Sequence, residues 1–255
     1  MNETSSRWIR RFHRAGDASV RLVCLPHAGG SATAYFPFSR AAAAAGLDAD
    51  VLAVQYPGRQ DRRAEPCHET VATLADAIAD DLGPRSDRPL ALFGHSMGAT
   101  VGYEVARRLQ ARGTPLLGLF ASACRAPSQQ RIEYVHQRDD EGLIAALKEL
   151  SGTNTAVLGD DELVRMVLPA VRGDYTAVET YRHEAGPELR CPIQVLVGDD
   201  DPVTSLAEAD AWHRHTTAGC AVEVFPGGHF YLTDGWERVL DTVTGRLREW
   251  SARAR

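Results

Sequence analysis

Short apolar runs alternate with longer amphipathic segments through most of the chain. The apolar runs are five or six residues long, as expected of strands buried on both faces of a parallel sheet, and lie at 20–25, 50–55, 89–93, 116–120, 193–197 and 221–225. Helical patterns lie at 33–45, 70–82, 97–111, 204–214 and 236–250. This alternation predicts right-handed βαβ crossovers and a three-layer α/β sandwich with a mostly parallel sheet. Segment 7–14 is expected to add an antiparallel edge strand.

The alternation is interrupted between Cys124 and Pro192, where almost 70 residues contain no strand pattern. Three helices are predicted there instead, at 139–150, 160–171 and 173–184, and each begins near an acidic residue: Asp139, Asp160 and Asp174. An insertion of this length is too large for a plain crossover. We predict a helical lid over about 127–187, inserted into a single domain that spans 1–255.

Composition and charge narrow the class of protein. The chain of 255 residues has 28 basic and 34 acidic side chains, a net charge of −6 that disfavours nucleic acid as a partner. No apolar run approaches the roughly 18 residues of a membrane span, and the first residues lack the apolar core of a secretory signal. A cytoplasmic protein, expected to be monomeric, is therefore predicted. The five cysteines include no CxxC pair, and no metal or organic cofactor is expected.

A nucleophile motif follows the run at 89–93. Gly94-His95-Ser96-Met97-Gly98 stands between a predicted strand and a predicted helix, which is the context in which G-x-S-x-G forms a nucleophile elbow. Glycines are needed on both sides because a Cβ there would collide with the neighbouring strand or helix. Ser96 is therefore the predicted nucleophile, and it requires a base.

His229 is the best placed of the nine histidines to serve as that base. It follows the last predicted strand in Pro226-Gly227-Gly228-His229-Phe230, at the same end of the sheet as Ser96. His213 and His215 are two positions apart on a predicted helix and so point to nearly opposite sides. They are expected to be surface residues rather than a metal-binding pair.

The acid that orients the base is predicted within Gly198-Asp199-Asp200-Asp201-Pro202, after the run at 193–197. Asp201 is favoured because a few residues of turn are needed to carry a carboxylate over the sheet edge, and Asp199 is the reserve. The two unused aspartates are expected to cap the next helix or to face solvent. The order Ser, Asp, His is that of the α/β-hydrolases.

Two backbone N–H groups are needed to bind the oxyanion of an acyl-transfer intermediate. One is expected from Met97, the residue after the nucleophile, where the helix dipole also helps. The other is expected from Ala28, in the loop Pro26-His27-Ala28-Gly29-Gly30-Ser31 after the first strand. The glycine pair lacks the pattern of a dinucleotide or phosphate loop.

Taken together, these motifs resemble the type II thioesterases that accompany polyketide synthases and nonribosomal peptide synthetases. The motifs that carry the resemblance are LPHAGGSA (25–32), YPGR (56–59), GHSMGA (94–99), CRAP (124–127), GDDDP (198–202) and PGGHFYL (226–232). Segment 122–127, after the strand before the insertion, contains no carboxylate, so the acid comes from the later strand, as in freestanding editing enzymes rather than in integral release domains.

The resemblance implies an α/β-hydrolase fold with Ser96, Asp201 and His229 as triad and Ala28 and Met97 as oxyanion donors. It further implies hydrolysis of aberrant or stalled acyl groups from the phosphopantetheine arm of acyl or peptidyl carrier proteins. Another esterase, a lactonase or a medium-chain fatty acyl thioesterase on the same scaffold is the alternative, and a non-catalytic binding protein is disfavoured. Arg59, Arg62 and Arg63 either meet the arm's phosphate or an acidic carrier surface, or belong to a solvated loop.

Overall fold

A seven-stranded sheet forms the centre of the molecule in the computed structural model, which describes residues 6–129, 131, 133–151, 161–233 and 235–254. The strand order is β1-β3-β2-β4-β5-β6-β7, and only β1 is antiparallel to its neighbour. The strands are β1 Ile9–Arg10, β2 Val20–Leu25, β3 Ala49–Val54, β4 Leu90–His95, β5 Leu116–Ser122, β6 Ile193–Gly198 and β7 Cys220–Phe225. The mostly parallel sheet predicted from the sequence is therefore confirmed.

Helices cover both faces of the sheet. Helices α1 (Phe36–Ala44) and α7 (Trp236–Arg253) pack together, as do α2 (Val71–Leu82) and α3 (Met97–Ala111). Each pair forms a separate hydrophobic core against one face of the sheet. Because both faces are covered, β2, β3 and β4 are buried along their whole length. This is the three-layer sandwich predicted from the alternating pattern.

The predicted segment 7–14 contributes less strand than expected. Only Ile9 and Arg10 pair with β3, opposite Val54 and Ala53. The predicted helix at 204–214 is also shorter as an α-helix: α6 spans Leu206–Asp210 and continues as a 3₁₀ turn. Both segments lie at the edges of the sandwich.

Two helices, α4 (Asp140–Ser151) and α5 (Asp161–Thr180), lie between β5 and β6 in what we call the α4–α5 insertion, residues 123–192. The prediction of separate helices at 160–171 and 173–184 is wrong, because α5 runs through both segments. Residue 160, the predicted start of the first of them, lies outside the described residues. Gly173 does not break α5: a Cβ there would lie 3.1 Å from the Cβ of Cys67, so this glycine permits close packing.

No helix in the described part of the chain combines the length and the apolar character that crossing a membrane requires.

Candidate active site

Ser96 occupies the sharp turn between β4 and α3, at the carboxyl end of the sheet. Its backbone has φ 53° and ψ −121°, a conformation that a residue with a Cβ rarely adopts. The residues on either side are buried, whereas Ser96 is partly exposed on the wall of a large cavity. The strand, turn and helix expected around this serine are all present.

Two glycines make this turn possible. A Cβ on Gly94 would lie 2.1 Å from the carbonyl oxygen of Gly98, and a Cβ on Gly98 would lie 2.0 Å from the carbonyl oxygen of Leu25 in β2. No side chain fits at either distance. Gly94 lets β4 approach α3, the helix that follows it, and Gly98 lets α3 approach the neighbouring strand β2.

His229 lies in the loop after β7, which is folded against the loop after β6. The N–H of Gly227 donates to Asp199 Oδ1 (2.8 Å), and the N–H of Asp200 donates to the Gly227 carbonyl (3.0 Å). A Cβ on Gly198 would lie 2.3 Å from that same carbonyl oxygen, so the contact requires a glycine. Asp199 therefore supports the loop of His229 and does not contact the imidazole, which is 2% exposed.

Asp201 is the carboxylate that meets the histidine. Its Oδ1 and Oδ2 lie 3.1 and 3.0 Å from His229 Nδ1, and His229 Nε2 lies 2.9 Å from Ser96 Oγ. The N–H groups of Val203 (2.8 Å) and Thr204 (3.2 Å) donate to Asp201 Oδ1. The carboxylate is thus fixed by two backbone donors, and the three side chains form one continuous hydrogen-bonded series.

The other two aspartates of the run are exposed, as expected. They do not cap α6. That helix begins with a capping box in which the Ser205 hydroxyl accepts from the N–H of Glu208 and the Glu208 carboxylate accepts from the N–H of Ser205.

Three imidazoles and one phenyl ring cluster beside the hydroxyl. The ring centroids of His95 and His229 are 5.4 Å apart, those of His27 and His95 are 5.9 Å apart, and Phe230 lies edge-on to His229 at 5.2 Å. Burial and the nearby charge of His229 lower the pKa of His27 to about 4 and that of His95 well below its usual range. His27 and His95 therefore stay neutral at neutral pH. The sequence patterns did not indicate this cluster.

The two predicted oxyanion donors lie on the same cavity wall as Ser96. Met97 is the first residue of α3. Ala28 lies in loop 26–31, where Gly29 has φ +75° and the N–H of Gly30 donates to the His27 carbonyl (2.9 Å). The glycine pair thus folds the loop into the tight turn that the sequence predicted.

The cavity has a volume of about 1670 Å³, larger than the roughly 300–1,000 Å³ of ordinary small-molecule sites. The body supplies one wall, and the α4–α5 insertion supplies the opposite one. The apolar part of that opposite wall includes Leu147, Leu150, Met166, Val167 and Val178.

The expectation for the three arginines after the YPG segment needs correction. Arg59 is 5% exposed and ion-pairs with Asp174, and Arg62 is 6% exposed and donates to Glu65 (2.7 Å). Both side chains are therefore buried and paired within the protein rather than solvated, although Arg59 also lines the cavity. Arg63 is exposed and lines the cavity. The apolar patterns around Arg59 and Arg62 did not indicate that these two side chains are buried.

Asp174 is a site residue that the sequence reasoning missed. The sequence pattern predicts only a helix start at Asp174, but the residue is 1% exposed in the middle of α5. The available signal was its position: it stands three residues after Val171 and three before Ala177, both buried on the same stripe of the helix. A carboxylate in an apolar stripe indicates a specific partner.

His215 also departs from expectation, whereas His213 is exposed as predicted. His215 is 3% exposed, with Nε2 at 2.9 Å from Ser128 Oγ and Nδ1 at 3.3 Å from Tyr103 Oη. Burial, together with the nearby His183, lowers the pKa of His215 to about 4. The 3₁₀ geometry at 211–215 changes the direction of the side chain from the one an α-helix would give.

Comparisons with known proteins agree with this architecture. A model of the thioesterase domain family matches residues 20–247. A probable cadicidin biosynthesis thioesterase of Streptomyces griseus is 50% identical, over 96% of this chain and 67% of its own length. Thioesterase PikA5 of Streptomyces venezuelae is 47% identical, over 97% of this chain and 88% of its own.

A solved structure, that of the type II thioesterase BorB from the borrelidin biosynthetic cluster, superposes with a TM-score of 0.90 and 50% identity, covering 96% of this chain and all of that one. The α/β-hydrolase fold and the resemblance inferred from the motifs are both confirmed. The chain therefore belongs to the thioesterase family and is a hydrolase of thioester bonds, similar to the type II thioesterases of biosynthetic clusters.

Proposed function

We propose that this enzyme removes aberrant or stalled acyl groups from the phosphopantetheine arm of acyl or peptidyl carrier proteins. The observation that carries the proposal is the series Ser96 Oγ, His229 Nε2, His229 Nδ1 and Asp201, with each contact between 2.9 and 3.1 Å, at the wall of an open cavity. The similarity to type II thioesterases supports the substrate class.

In the first half-reaction, Ser96 Oγ attacks the thioester carbonyl and gives its proton to His229 Nε2. Asp201 holds the other proton on Nδ1 and stabilises the imidazolium. The carbonyl oxygen becomes an oxyanion that accepts hydrogen bonds from the N–H groups of Ala28 and Met97. The carbon–sulfur bond then breaks, the pantetheine sulfur takes the proton from His229, and the acyl group remains as an ester on Ser96.

In the second half-reaction, a water molecule gives a proton to His229 Nε2 and attacks the ester carbonyl. The same two N–H groups stabilise the second oxyanion. The ester bond breaks, Ser96 recovers its proton from His229, and the free acid leaves. A thiolate is a good leaving group, so the first step demands little of the acyl chain, which suits an enzyme that clears varied stalled groups.

The α4–α5 insertion acts as a lid in this proposal. It supplies the apolar wall opposite the nucleophile, where an acyl chain would lie, and Met166 and Val167 are large apolar side chains that it leaves exposed at 67% and 37%. The long, thin pantetheine arm would enter between this wall and the body. We further propose that Arg63, which is exposed and lines the cavity, meets its phosphate. One chain supplies every proposed site residue, so the proposed monomer would be complete without a second copy.

The first test is covalent labelling of the native enzyme with a serine-directed fluorophosphonate. We expect labelling of the native chain and none of Ser96→Ala. Labelling that persists in Ser96→Ala would remove Ser96 as nucleophile, and an unlabelled native enzyme would favour a non-catalytic binding protein.

The second test addresses the substrate. Rates are compared for acetyl, propionyl and longer acyl groups on a holo-carrier protein, the same groups on N-acetylcysteamine, and simple oxygen esters. We expect the carrier-bound thioesters to have the highest kcat/KM. A preference for oxygen esters, with no gain from the carrier protein, would overturn the proposal in favour of a general esterase.

A further inference from the structure

A buried ion pair joins the α4–α5 insertion to the loop that carries Ala28. Asp174 Oδ2 accepts a hydrogen bond from the N–H of Gly29 (2.7 Å) and also pairs with the guanidinium of Arg59. Asp174 is 1% exposed and Arg59 is 5% exposed. Arg59 in turn donates through Nε to the Gly30 carbonyl (3.2 Å) and through a terminal nitrogen to the Pro57 carbonyl (2.7 Å).

These contacts fix the backbone immediately after the proposed oxyanion donor. The N–H of Gly29 belongs to the peptide that follows Ala28, and Arg59 holds the carbonyl of the next residue, Gly30. The peptides on either side of the glycine pair, Ala28–Gly29 and Gly30–Ser31, are therefore held by one charged cluster. The loop needs such restraint, because two consecutive glycines have more conformational freedom than any other pair of residues.

The insertion also contacts this loop through packing. A Cβ on Gly29 would lie 2.8 Å from Cγ2 of Val171, one turn before Asp174 on α5. From the body, the Tyr56 hydroxyl donates to the Pro26 carbonyl (3.1 Å) at the start of the loop. The loop is thus held on one side by the body and on the other by α5.

A stabilising role alone does not account for the pair. Desolvation of two charges commonly costs as much as their attraction returns, so a buried ion pair is weak evidence of stabilisation. Asp174 Oδ1 is moreover buried with no hydrogen-bond partner among the described residues. What the contacts clearly do is fix the orientation of the peptides beside Ala28.

We propose that Asp174, together with Arg59, is a positioning residue that makes the oxyanion loop, residues 26–31, competent only when α5 is seated on it. The inference rests on the proposed function, since it assigns the second oxyanion donor to Ala28. Asp174 touches no reacting atom. Displacement of α5, as the lid opens, removes the acceptor from Gly29 and releases the loop, so the site is fully assembled only when the lid is closed.

The test measures kcat and KM separately for acyl-N-acetylcysteamine hydrolysis. Oxyanion contacts strengthen in the transition state, so their loss lowers kcat and leaves KM nearly unchanged. Removing one oxyanion donor typically costs on the order of a hundredfold. For Asp174→Ala we expect kcat to fall by about 30- to 100-fold, with KM within about twofold of the native value.

Asp174→Asn separates the hydrogen bond from the charge. Its amide oxygen can still accept from the N–H of Gly29, so we expect it to recover kcat to within about fivefold of the native enzyme, although it leaves Arg59 without a counter-charge. Should Asp174→Ala fail to fold, the double variant Asp174→Ala/Arg59→Met removes both charges together. The double variant should fold and keep the low kcat, since Gly29 still lacks an acceptor.

Glu104→Gln is the matched control. Glu104 is also a buried carboxylate that joins the insertion to the body: it accepts from the Tyr181 hydroxyl (2.9 Å) and pairs with Arg107 and Arg108, but it makes no contact with the oxyanion loop. We expect it to lower the urea midpoint and to leave kcat unchanged.

Two results would overturn the positioning role: an unchanged kcat in folded Asp174→Ala, or an equal fall in kcat in Glu104→Gln. Failure of the proposed function is a different result, because it would be seen in the native enzyme itself, either as no labelling at Ser96 or as a preference for simple oxygen esters.

Discussion

The assignment of Asp201 as the orienting acid makes a sharp prediction for Asp201→Asn. In the native enzyme, Asp201 Oδ2 lies 3.0 Å from His229 Nδ1. Oδ1 lies 3.1 Å from the same nitrogen, but it also accepts from the N–H groups of Val203 and Thr204, which occupy its two lone pairs. The asparagine oxygen must keep the position of Oδ1 to satisfy those two backbone donors. Its NH₂ group therefore takes the position of Oδ2, 3.0 Å from the imidazole nitrogen.

Two N–H groups cannot face each other at that distance, so the imidazole of His229 shifts its proton to Nε2. It then presents a donor rather than an acceptor to Ser96, and cannot take the proton of the hydroxyl. The substitution removes the charge-assisted hydrogen bond from Asp201 to the imidazolium, about 3 kcal/mol, and the productive tautomer opposes two donors, at a cost of about 2 kcal/mol. A barrier raised by about 5 kcal/mol corresponds to a kcat lower by three to four orders of magnitude.

The measurement is the release of free thiol from an acyl-N-acetylcysteamine, with the rate of fluorophosphonate labelling at Ser96 followed in parallel. Both rates should fall together, because both require the deprotonated hydroxyl. Asp200→Asn is the matched control, since Asp200 is exposed in the same turn and its backbone N–H donates to the Gly227 carbonyl. We expect it to retain at least about half of the native rate.

The reasoning would be refuted if Asp201→Asn kept more than about a tenth of native activity. It would also be refuted if Asp199→Asn lost more activity than Asp201→Asn. Asp199 is the alternative acid, and its asparagine can still accept from the N–H of Gly227, so only a direct role at the imidazole would make that substitution the more harmful one.

Two further predictions concern stability. Gly98→Ala places a methyl group 2.0 Å from the Leu25 carbonyl oxygen and should lower the free energy of unfolding by about 3 kcal/mol or more. Gly102→Ala, on the same helix but with its nearest atoms at 3.5 Å, should be neutral or stabilising. Equal urea midpoints for the two variants would contradict this. The pKa of His215 is lowered to about 4 from its ordinary 6.5, so between these pH values the unfolded chain binds a proton that the folded chain excludes. The free energy of unfolding therefore falls as pH falls through this window, by up to about 3 kcal/mol from this residue. His215→Gln should flatten the dependence of the unfolding free energy on pH in that window, whereas His213→Gln, at an exposed position, should leave it unchanged. Identical curves for the native protein and both variants would contradict the lowered pKa of His215.

The sheet and its nucleophile elbow could be predicted because their determinants are local. The apolar run before Ser96, the two glycines around it and the amphipathic helix after it all lie within about 25 residues, and each restricts the backbone directly. Parallel strands then place their carboxyl ends at one edge, so residues after β6 and β7 had to approach Ser96. The choice of Asp201 over Asp199 also followed from a local property, the length of turn needed to pass the sheet edge.

The buried charges could not be predicted in this way, because their partners are remote in sequence. Arg59 and Asp174 are 115 residues apart, and an arginine after a YPG turn has the same local pattern whether it is buried or exposed. His215 was misplaced for a related reason. The prediction takes the direction of an α-helix for its side chain, and its partners Ser128 and Tyr103 belong to other parts of the chain.

Gly173 illustrates why the insertion was the hardest part to predict. Within its own sequence, a glycine at the first residue of the second predicted helix favours a break, since it costs about 1 kcal/mol relative to alanine inside a helix. In the structure that same glycine lies against Cys67, in a place where even a methyl group would be tight at 3.1 Å. The close approach keeps α5 continuous, and one turn of that continuous helix carries both Val171 and Asp174 to the oxyanion loop. A broken helix would have left Asp174 at a solvated helix start, so the continuity of α5 is what turns this carboxylate into a contact with the site.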